Sequence, residues 1–216
     1  MARAMIVMST DQVKENQAST PVSPGSNKPL ILASGSRYRR EMIERLQVPV
    51  LAIAPGIDES RTAGESPRAL SIRLARQKAA HVARQYPDHW VLGSDQVAML
   101  GDEALGKPGN IERARQQLGA CSGSTVEFQT AMCLLGPTKR LEHLDTTRVR
   151  FRALSPTSIE DYLSRESALD CAGSFKSEGF GITLTEAIES EDPSALIGLP
   201  LIALAGWLRS IGLMVS

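Results

Sequence analysis

One stretch, residues 30–43, constrains this chain more than any other. It begins with the aliphatic run L-I-L-A, which is typical of a strand buried on both faces. Ser34, Gly35 and Ser36 follow, and their small side chains leave room for a ligand to reach backbone N–H groups. A helix is predicted next, and its first turn carries unpaired N–H donors and the positive end of the helix dipole. The stretch predicts a strand–turn–helix unit that suits a polyphosphate.

Arginines at the start of that helix favour the same interpretation. Arg37, Arg39 and Arg40 carry forked N–H donors that match phosphate oxygens. The alternative is an ordinary strand–turn–helix connection with solvated arginines. This segment alone does not decide between the two, because short motifs also occur by chance.

The composition is that of an ordinary globular chain, with 42% hydrophobic and 22% charged residues among 216. The formal net charge is zero, so no field of one sign attracts a nucleic acid polymer or an anionic membrane. Three cysteines without a C-x-x-C pair argue against a disulfide framework or a zinc site. No apolar run reaches the ~20 residues of a membrane span. We therefore expect a cytoplasmic protein with neither nucleic acid nor membrane partners.

The start of the chain differs in composition from the rest. Residues 1–28 are polar and are predicted to form a disordered extension, and 29–216 are predicted to form a single domain. The predicted strands are 30–34, 48–54, 90–95, 96–100, 103–105, 124–135 and 140–151. The predicted helices are 39–46, 66 to about 86, 110 to about 118, 155–165, and a last one from about 201.

This order of elements predicts the fold class. Strands alternate with helices in the first half, which favours parallel pairing, and hairpins then force antiparallel pairs. We predict an α/β fold with a mixed, partly antiparallel, elongated sheet flanked by helices. Ligands on such sheets bind in crevices at the ends of strands, so polar residues at those ends are candidates for function.

Acids and cations from separate segments are expected to meet there. Glu59 follows the second strand, Asp95 ends the third, and Lys107 follows the hairpin. Lys78 lies on a mainly apolar stripe of the second helix. Mg²⁺ takes one or two carboxylates together with substrate phosphates, so Glu59 and Asp95 are the candidate metal ligands. One carboxylate can also activate a water, while the lysines and arginines stabilise charge on the phosphates.

Each of these residues also has a purely structural explanation. Asp95 can be a turn or cap residue, and Glu59 and Lys107 can be solvated loop residues. Lys78 can extend from a buried stripe towards solvent. The motifs of P-loop ATPases, Rossmann enzymes and α/β-hydrolases are absent from the sequence, so none of those classes is supported.

Six segments, taken in order, resemble the Maf nucleotide pyrophosphatases. The first, L-A-S-G-S-R-Y-R-R at 32–40, is similar to the L-A-S-x-S-P-x-R-R signature of that family. The others are I-D-E at 57–59, Q-K-A at 77–79, G-S-D-Q-V at 93–97, G-K-P at 106–108 and G-L-P at 198–200. The resemblance covers about 29–213, and six segments together are far more specific than any one of them.

The resemblance implies a Maf/ITPase-like fold with two lobes around a nucleotide cleft, and a hydrolase of nucleotide metabolism that uses a divalent metal, Mg or Mn. Gln96, and the C-A-G-S-F-K-S-E-G-F-G loop at 171–181, resemble the YceF-type branch. That branch implies hydrolysis of 7-methyl-GTP to 7-methyl-GMP and pyrophosphate, which removes modified nucleotides from the pool. The family also implies a cytoplasmic enzyme that is often a homodimer.

The resemblance assigns roles to individual residues. Asp95 matches the proton acceptor, Glu59 a metal-side acid, and Lys78 a catalytic cation. Positions that set substrate choice match Tyr38, Gln96 and Glu178. Phosphate-side positions match Ser34, Ser36, Arg39, Arg40, Lys78 and Lys107. Two departures stand out: Arg37 replaces the usual Pro, and Tyr38 replaces the Trp that is frequent in this branch.

Other functions stay open on the sequence. A Maf enzyme can instead prefer dTTP and UTP, or act on many nucleotides. A nucleotide-binding regulator of septum formation would bind without turnover, although the acids at Glu59 and Asp95 favour the enzyme.

Overall fold

The computed structural model describes residues 28–214 of the 216-residue chain. The predicted disordered extension, residues 1–28, lies outside the described residues except for Lys28.

Strands of the described chain form one mixed sheet. They are β1 Leu30–Ala33, β2 Val50–Ile53, β3 Val91–Leu100, β4 Glu103–Leu105, β5 Thr125–Leu135, β6 Arg140–Phe151 and β7 Thr185–Glu189. Their order is β2-β1-β3-β5-β6-β7, with β4 paired to β3. β1 runs parallel to β2 and β3, and the other pairs are antiparallel. The predicted mixed α/β fold is confirmed.

Helices flank this sheet, and most of them have an N-cap residue with a short polar side chain. They are α1 Arg37–Glu44, α2 Pro67–Ala83, α3 Ile111–Cys121, α4 Pro156–Arg165 and α5 Leu201–Ser210. Ser36, Ser66, Asn110 and Ser155 each accept a hydrogen bond from the backbone N–H three residues later. The Ser36 cap explains why α1 begins at Arg37 and not at the predicted residue 39.

β3 positions the cleft. The prediction that a strand ends at Asp95 is wrong, because β5 pairs with β3 along residues 91–99 and keeps it extended. On its other edge, β3 pairs with β1 at residues 91–93 and with β4 at residues 98–100. Between those pairings the described chain supplies no neighbouring strand. Residues 94–97 therefore border an opening in the sheet.

Two apolar cores lie on one face of the sheet, near its opposite ends. One joins α1 and α5 to the sheet through residues such as Leu32, Met42 and Leu204. The other joins α3 and α4 to the start of β5 and the end of β6, around Leu118 and Tyr162. These cores are the centres of two lobes, and the cleft lies between them.

α2 covers the other face of the sheet at close range. A methyl group added to Gly93 would overlap the carbonyl oxygen of Ala75 and would lie 2.7 Å from the backbone nitrogen of Ala79. Side chains alternate along a strand, so Asp95, two residues after Gly93, points to the same helix. This close approach brings Lys78 of α2 within reach of Asp95.

β7 was not predicted from the sequence, because it is a short edge strand in which polar residues outnumber apolar ones. Within residues 28–214, none of the helices combines the length and apolar character that a membrane span requires.

Candidate active site

A cavity of about 640 Å³ opens beside residues 94–97 of β3. It brings together all but one of the predicted site residues: Ser34, Ser36, Tyr38, Arg39, Glu59, Lys78, Asp95, Gln96, Lys107 and Glu178. Arg40 is exposed on α1 and is not among the residues that line the cavity. Its role in phosphate binding stays a prediction.

The centre of the cavity is a lysine between two carboxylates. Lys78 Nζ lies 2.6 Å from Asp95 Oδ1 and 3.0 Å from Glu59 Oε1. The side chains of Lys78 and Asp95 are only 6% and 9% exposed, whereas Glu59 is 54% exposed. Burial raises the pKa of Asp95, and the charges of Lys78 and Arg39 act against that increase. A buried carboxylate with raised proton affinity suits a general base.

The loop that carries Glu59 is fastened to α2 by Arg73. Arg73 Nε donates to Glu65 Oε1 at 2.7 Å, and Arg73 Nη2 donates to the carbonyl oxygen of Ser60 at 2.9 Å. Hydrogen bonds from Arg73 lower the pKa of Glu65 to about 2. The loop is therefore held at a point next to Glu59, and this keeps the acid beside Lys78.

The two carboxylates fit a divalent cation only in part. Both carboxylates lie close to one cation, the ammonium group of Lys78, so the two side chains face a common point and can also face one metal ion. In the described part of the chain, no group of three or more His, Cys, Asp and Glu side chains is arranged to hold a metal. Mg²⁺ typically accepts one or two carboxylates and completes its coordination with waters and substrate phosphates. The donor set therefore fits an ion that binds together with a nucleotide.

The loop after β1 is preorganised for an anion. Ser34 Oγ accepts a hydrogen bond from the backbone N–H of Ser36 at 3.1 Å, and Ser36 Oγ caps α1. Arg39, on the first turn of α1, donates from Nε to the carbonyl oxygen of Gly198 at 2.8 Å. Burial lowers the pKa of the Arg39 guanidinium, and Asp95 and Glu59 oppose this effect. Small hydroxyls, a helix start and a fixed guanidinium together suit a phosphate.

The carbonyl of Gly198 is the anchor for this arginine. It also accepts a hydrogen bond from Ser94 Oγ at 3.1 Å, which ties the loop before α5 to β3. Gly198 has a φ of 120°, in a region that disfavours other residues. The G-L-P motif is visible in the sequence, but the hydrogen bond from Arg39 to its backbone is visible only in the structure.

Gln96 is engaged with the same loop. Its Nε2 donates to the carbonyl oxygens of Ala195 and Leu196, both at 2.9 Å, and lies 3.0 Å from Thr130 Oγ1. These contacts commit the amide nitrogen of Gln96 to the protein. The role of Gln96 in substrate choice stays a prediction, and its position gives it a part in fixing the loop.

The mouth of the cavity carries an aromatic ring and two exposed acids. Tyr38, at the start of α1, donates a hydrogen bond from its hydroxyl to Asp170 Oδ1 at 3.1 Å. Glu178 lines the same cavity. Burial raises the pKa of Tyr38 above its ordinary value, so its hydroxyl stays a donor. The sequence analysis did not select Asp170, and no local pattern marks it.

Comparison with known proteins places the chain among relatives over most of its length. The model of the family described as Maf-like protein matches residues 29–211. A 7-methyl-GTP pyrophosphatase of Xanthomonas axonopodis pv. citri is 58% identical over 186 residues, which cover 86% of this chain and 98% of that protein. A 7-methyl-GTP pyrophosphatase of Bordetella avium is 50% identical over 188 residues, which cover 87% and 95%.

A more distant likeness exists among solved structures. The Ham1 protein of Staphylococcus aureus has a TM-score of 0.40 and 15% identity, covering 57% of this chain and 72% of that chain. This likeness is too weak to bear on the function of the cleft.

Proposed function

Because this chain belongs to the Maf family, we propose that it is a pyrophosphatase that hydrolyses 7-methyl-GTP to 7-methyl-GMP and pyrophosphate. Relatives with 58% and 50% identity that carry this name support the substrate. The observation that carries the chemistry is the buried Lys78–Asp95 pair, with Glu59 beside it and a phosphate-binding loop along the same cavity.

Asp95 is the proton acceptor in this proposal. A water between Asp95 and the triphosphate loses a proton to the carboxylate while its oxygen attacks a phosphorus atom of the α–β anhydride. The P–O bond of that anhydride breaks, and its electron pair stays on the oxygen of the leaving group, so that 7-methyl-GMP and pyrophosphate are released. Lys78, 2.6 Å from Asp95, keeps that carboxylate in one orientation.

Cations along the cavity hold the triphosphate and stabilise the charge that develops on it. Arg39 is fixed by Gly198, and α1 begins at Arg37, so the positive end of its dipole adjoins the same loop. Lys107 also lines the cavity and is exposed, so it can reach the phosphates. Ser34 and Ser36 shape the loop and leave space for a phosphate.

A divalent metal, Mg²⁺ or Mn²⁺, belongs to the proposal as cofactor. Glu59 and Asp95 are the residues that would hold it. Such an ion neutralises phosphate charge and orients the anhydride.

Substrate choice is proposed to depend on Tyr38, Gln96 and Glu178. N7-methylation gives guanine a positive charge, and an aromatic ring attracts a cation that stacks on its face. The carboxylate of Glu178 can accept hydrogen bonds from the N–H groups of a guanine edge. The same exposed acid also favours a cationic base electrostatically.

We also propose a cytoplasmic enzyme that acts as a homodimer on a free nucleotide. Cys121, Cys133 and Cys171 are free thiols in the described chain, which agrees with a reducing compartment. The homodimer rests on the family resemblance, and mass photometry of the purified chain would test it.

Replacement of the proton acceptor tests the proposed chemistry. Asp95→Asn keeps the shape of the side chain and removes the base, so pyrophosphate release from 7-methyl-GTP with Mg²⁺ should fall by about two to four orders of magnitude. Asp88→Asn is the matched control, because Asp88 is 76% exposed and its ion pair within residues 28–214 is with the exposed Lys28. A near-normal rate in Asp95→Asn would show that the assigned role is wrong.

A further inference from the structure

Arg37, Tyr38 and Asp170 form a connected group at the mouth of the cleft. Arg37 Nη2 donates to the Tyr38 hydroxyl at 2.7 Å, and that hydroxyl donates to Asp170 Oδ1 at 3.1 Å. Arg37 Nη2 also lies 3.7 Å from Asp170 Oδ2, and Arg37 Cζ lies 4.7 Å from the centre of the Tyr38 ring. All three residues line the cavity.

This geometry restricts the aromatic ring. A tyrosine side chain turns about two torsions, and a hydroxyl held from two sides fixes both. Since 132 residues separate Tyr38 from Asp170 in the sequence, the contact also joins α1 to the loop after α4. The ring is therefore presented to a ligand in one orientation, at a lower entropic cost of binding than a free ring would incur.

The positive charge of Arg37 in this group is unfavourable for a cationic ligand. Arg37 places a positive charge over one face of the ring, and this charge would repel a cationic base that stacks on the other face. Asp170 lies next to that guanidinium and offsets its charge. The pair therefore lowers the net positive charge at the ring.

We infer that Asp170 is a positioning residue for base recognition: it fixes the Tyr38 ring and neutralises Arg37, so that the ring can receive a cationic nucleobase. The inference rests on the proposed function for the identity of that base. It adds a residue to substrate choice that neither the sequence motifs nor the named relatives assign.

Two substitutions separate the two effects. Asp170→Ala removes both the acceptor and the charge, whereas Asp170→Asn keeps an acceptor oxygen and removes only the charge. Asp170→Ala should raise KM for GTP by about two- to tenfold, the value of one hydrogen bond, and should raise KM for 7-methyl-GTP by a larger factor because the charge is lost as well. Asp170→Asn should raise KM for 7-methyl-GTP by about two- to fivefold and affect GTP less, because only the methylated base is cationic. In both variants, kcat should change less than KM.

Coupling between the residues provides the rescue tests. In a Tyr38→Phe background the hydroxyl is gone, so Asp170→Ala should raise KM for GTP by a smaller factor than in the native chain. The double substitution Arg37→Gln with Asp170→Asn removes both charges and should lower KM for 7-methyl-GTP below that of Asp170→Asn alone. Asp88→Asn is the control for loss of an exposed acid outside the cavity.

The measurement is made in two forms, so that this inference and the proposed function can fail separately. Steady-state pyrophosphate release gives KM and kcat, and calorimetric titration with each nucleotide in EDTA, without the divalent metal that the proposed reaction uses, gives Kd in the absence of turnover. Absence of pyrophosphate release in the native chain would overturn the proposed function, while the Kd values would still test Asp170. Equal Kd values in native chain and Asp170→Ala would overturn the inference. A change in Kd that is the same for GTP and for 7-methyl-GTP in Asp170→Asn would also overturn the inference.

Discussion

At the scale of single residues, the site depends on charges that are buried next to one another. Lys78 is 6% exposed and touches both an almost buried acid and an exposed one. A buried ion pair adds little net stability, but loss of one partner leaves an uncompensated charge. The pair therefore constrains which substitutions the cleft can tolerate.

Lys78→Met tests this constraint. Methionine fills a similar volume but leaves Asp95 buried without its cation, so the free energy of unfolding at pH 7 should fall by about 3–5 kcal/mol. Urea denaturation monitored by circular dichroism measures the loss. Lys139→Met, in the turn after β5, is the control because Lys139 is exposed. A loss no larger than that of the control would contradict the buried pair.

At the scale of elements, two backbone features build the cleft. On the edge away from β5, the described chain places no strand beside residues 94–97 of β3, which opens the sheet beside Asp95. The loop before α5 then closes on β3, and its Gly198 carbonyl holds Arg39 at 2.8 Å. The anion loop and the general base thus depend on a segment far away in the sequence.

Gly198→Ala tests the role of that loop. Gly198 has a φ of 120°, and an added methyl group would lie 3.4 Å from Arg39 Nε, so strain and crowding act together. We expect a stability loss of about 1–3 kcal/mol and a rise in KM for the nucleotide as Arg39 shifts. Gly101→Ala is the matched control: its φ is 58°, and nothing lies within 4 Å of the added methyl group. If KM changes no more in Gly198→Ala than in Gly101→Ala, the Gly198 backbone does not anchor Arg39 in the way proposed.

At the scale of the whole molecule, two apolar cores on one face of a mixed sheet leave a cleft between them. Most of the strands and helices, and the mixed α/β class, could be predicted from the sequence, because aliphatic runs, caps and hairpin turns are local signals. The prediction failed at Asp95, where long-range pairing with β5 extends the strand. It also missed β7, an edge strand with little apolar character.

The same division holds for the site. Motif residues such as Ser34 and Lys78 were predictable and do line the cavity, whereas Arg40 does not. Asp170 could not be found from the sequence, because its significance lies in a contact across 132 residues. Local pattern identifies the residues of a site, and tertiary contacts decide which of them act together.

The most direct test of the account is pyrophosphate release with Mg²⁺ from 7-methyl-GTP, GTP, dTTP, UTP and CTP at equal concentrations. We predict a clear preference in kcat/KM for 7-methyl-GTP, because the ring and the acids at the mouth of the cleft favour a cationic purine. Preference for dTTP or UTP, or equal rates for all five, would contradict the assigned specificity. Binding without pyrophosphate release from any of them would contradict the enzyme itself and favour a nucleotide-binding regulator.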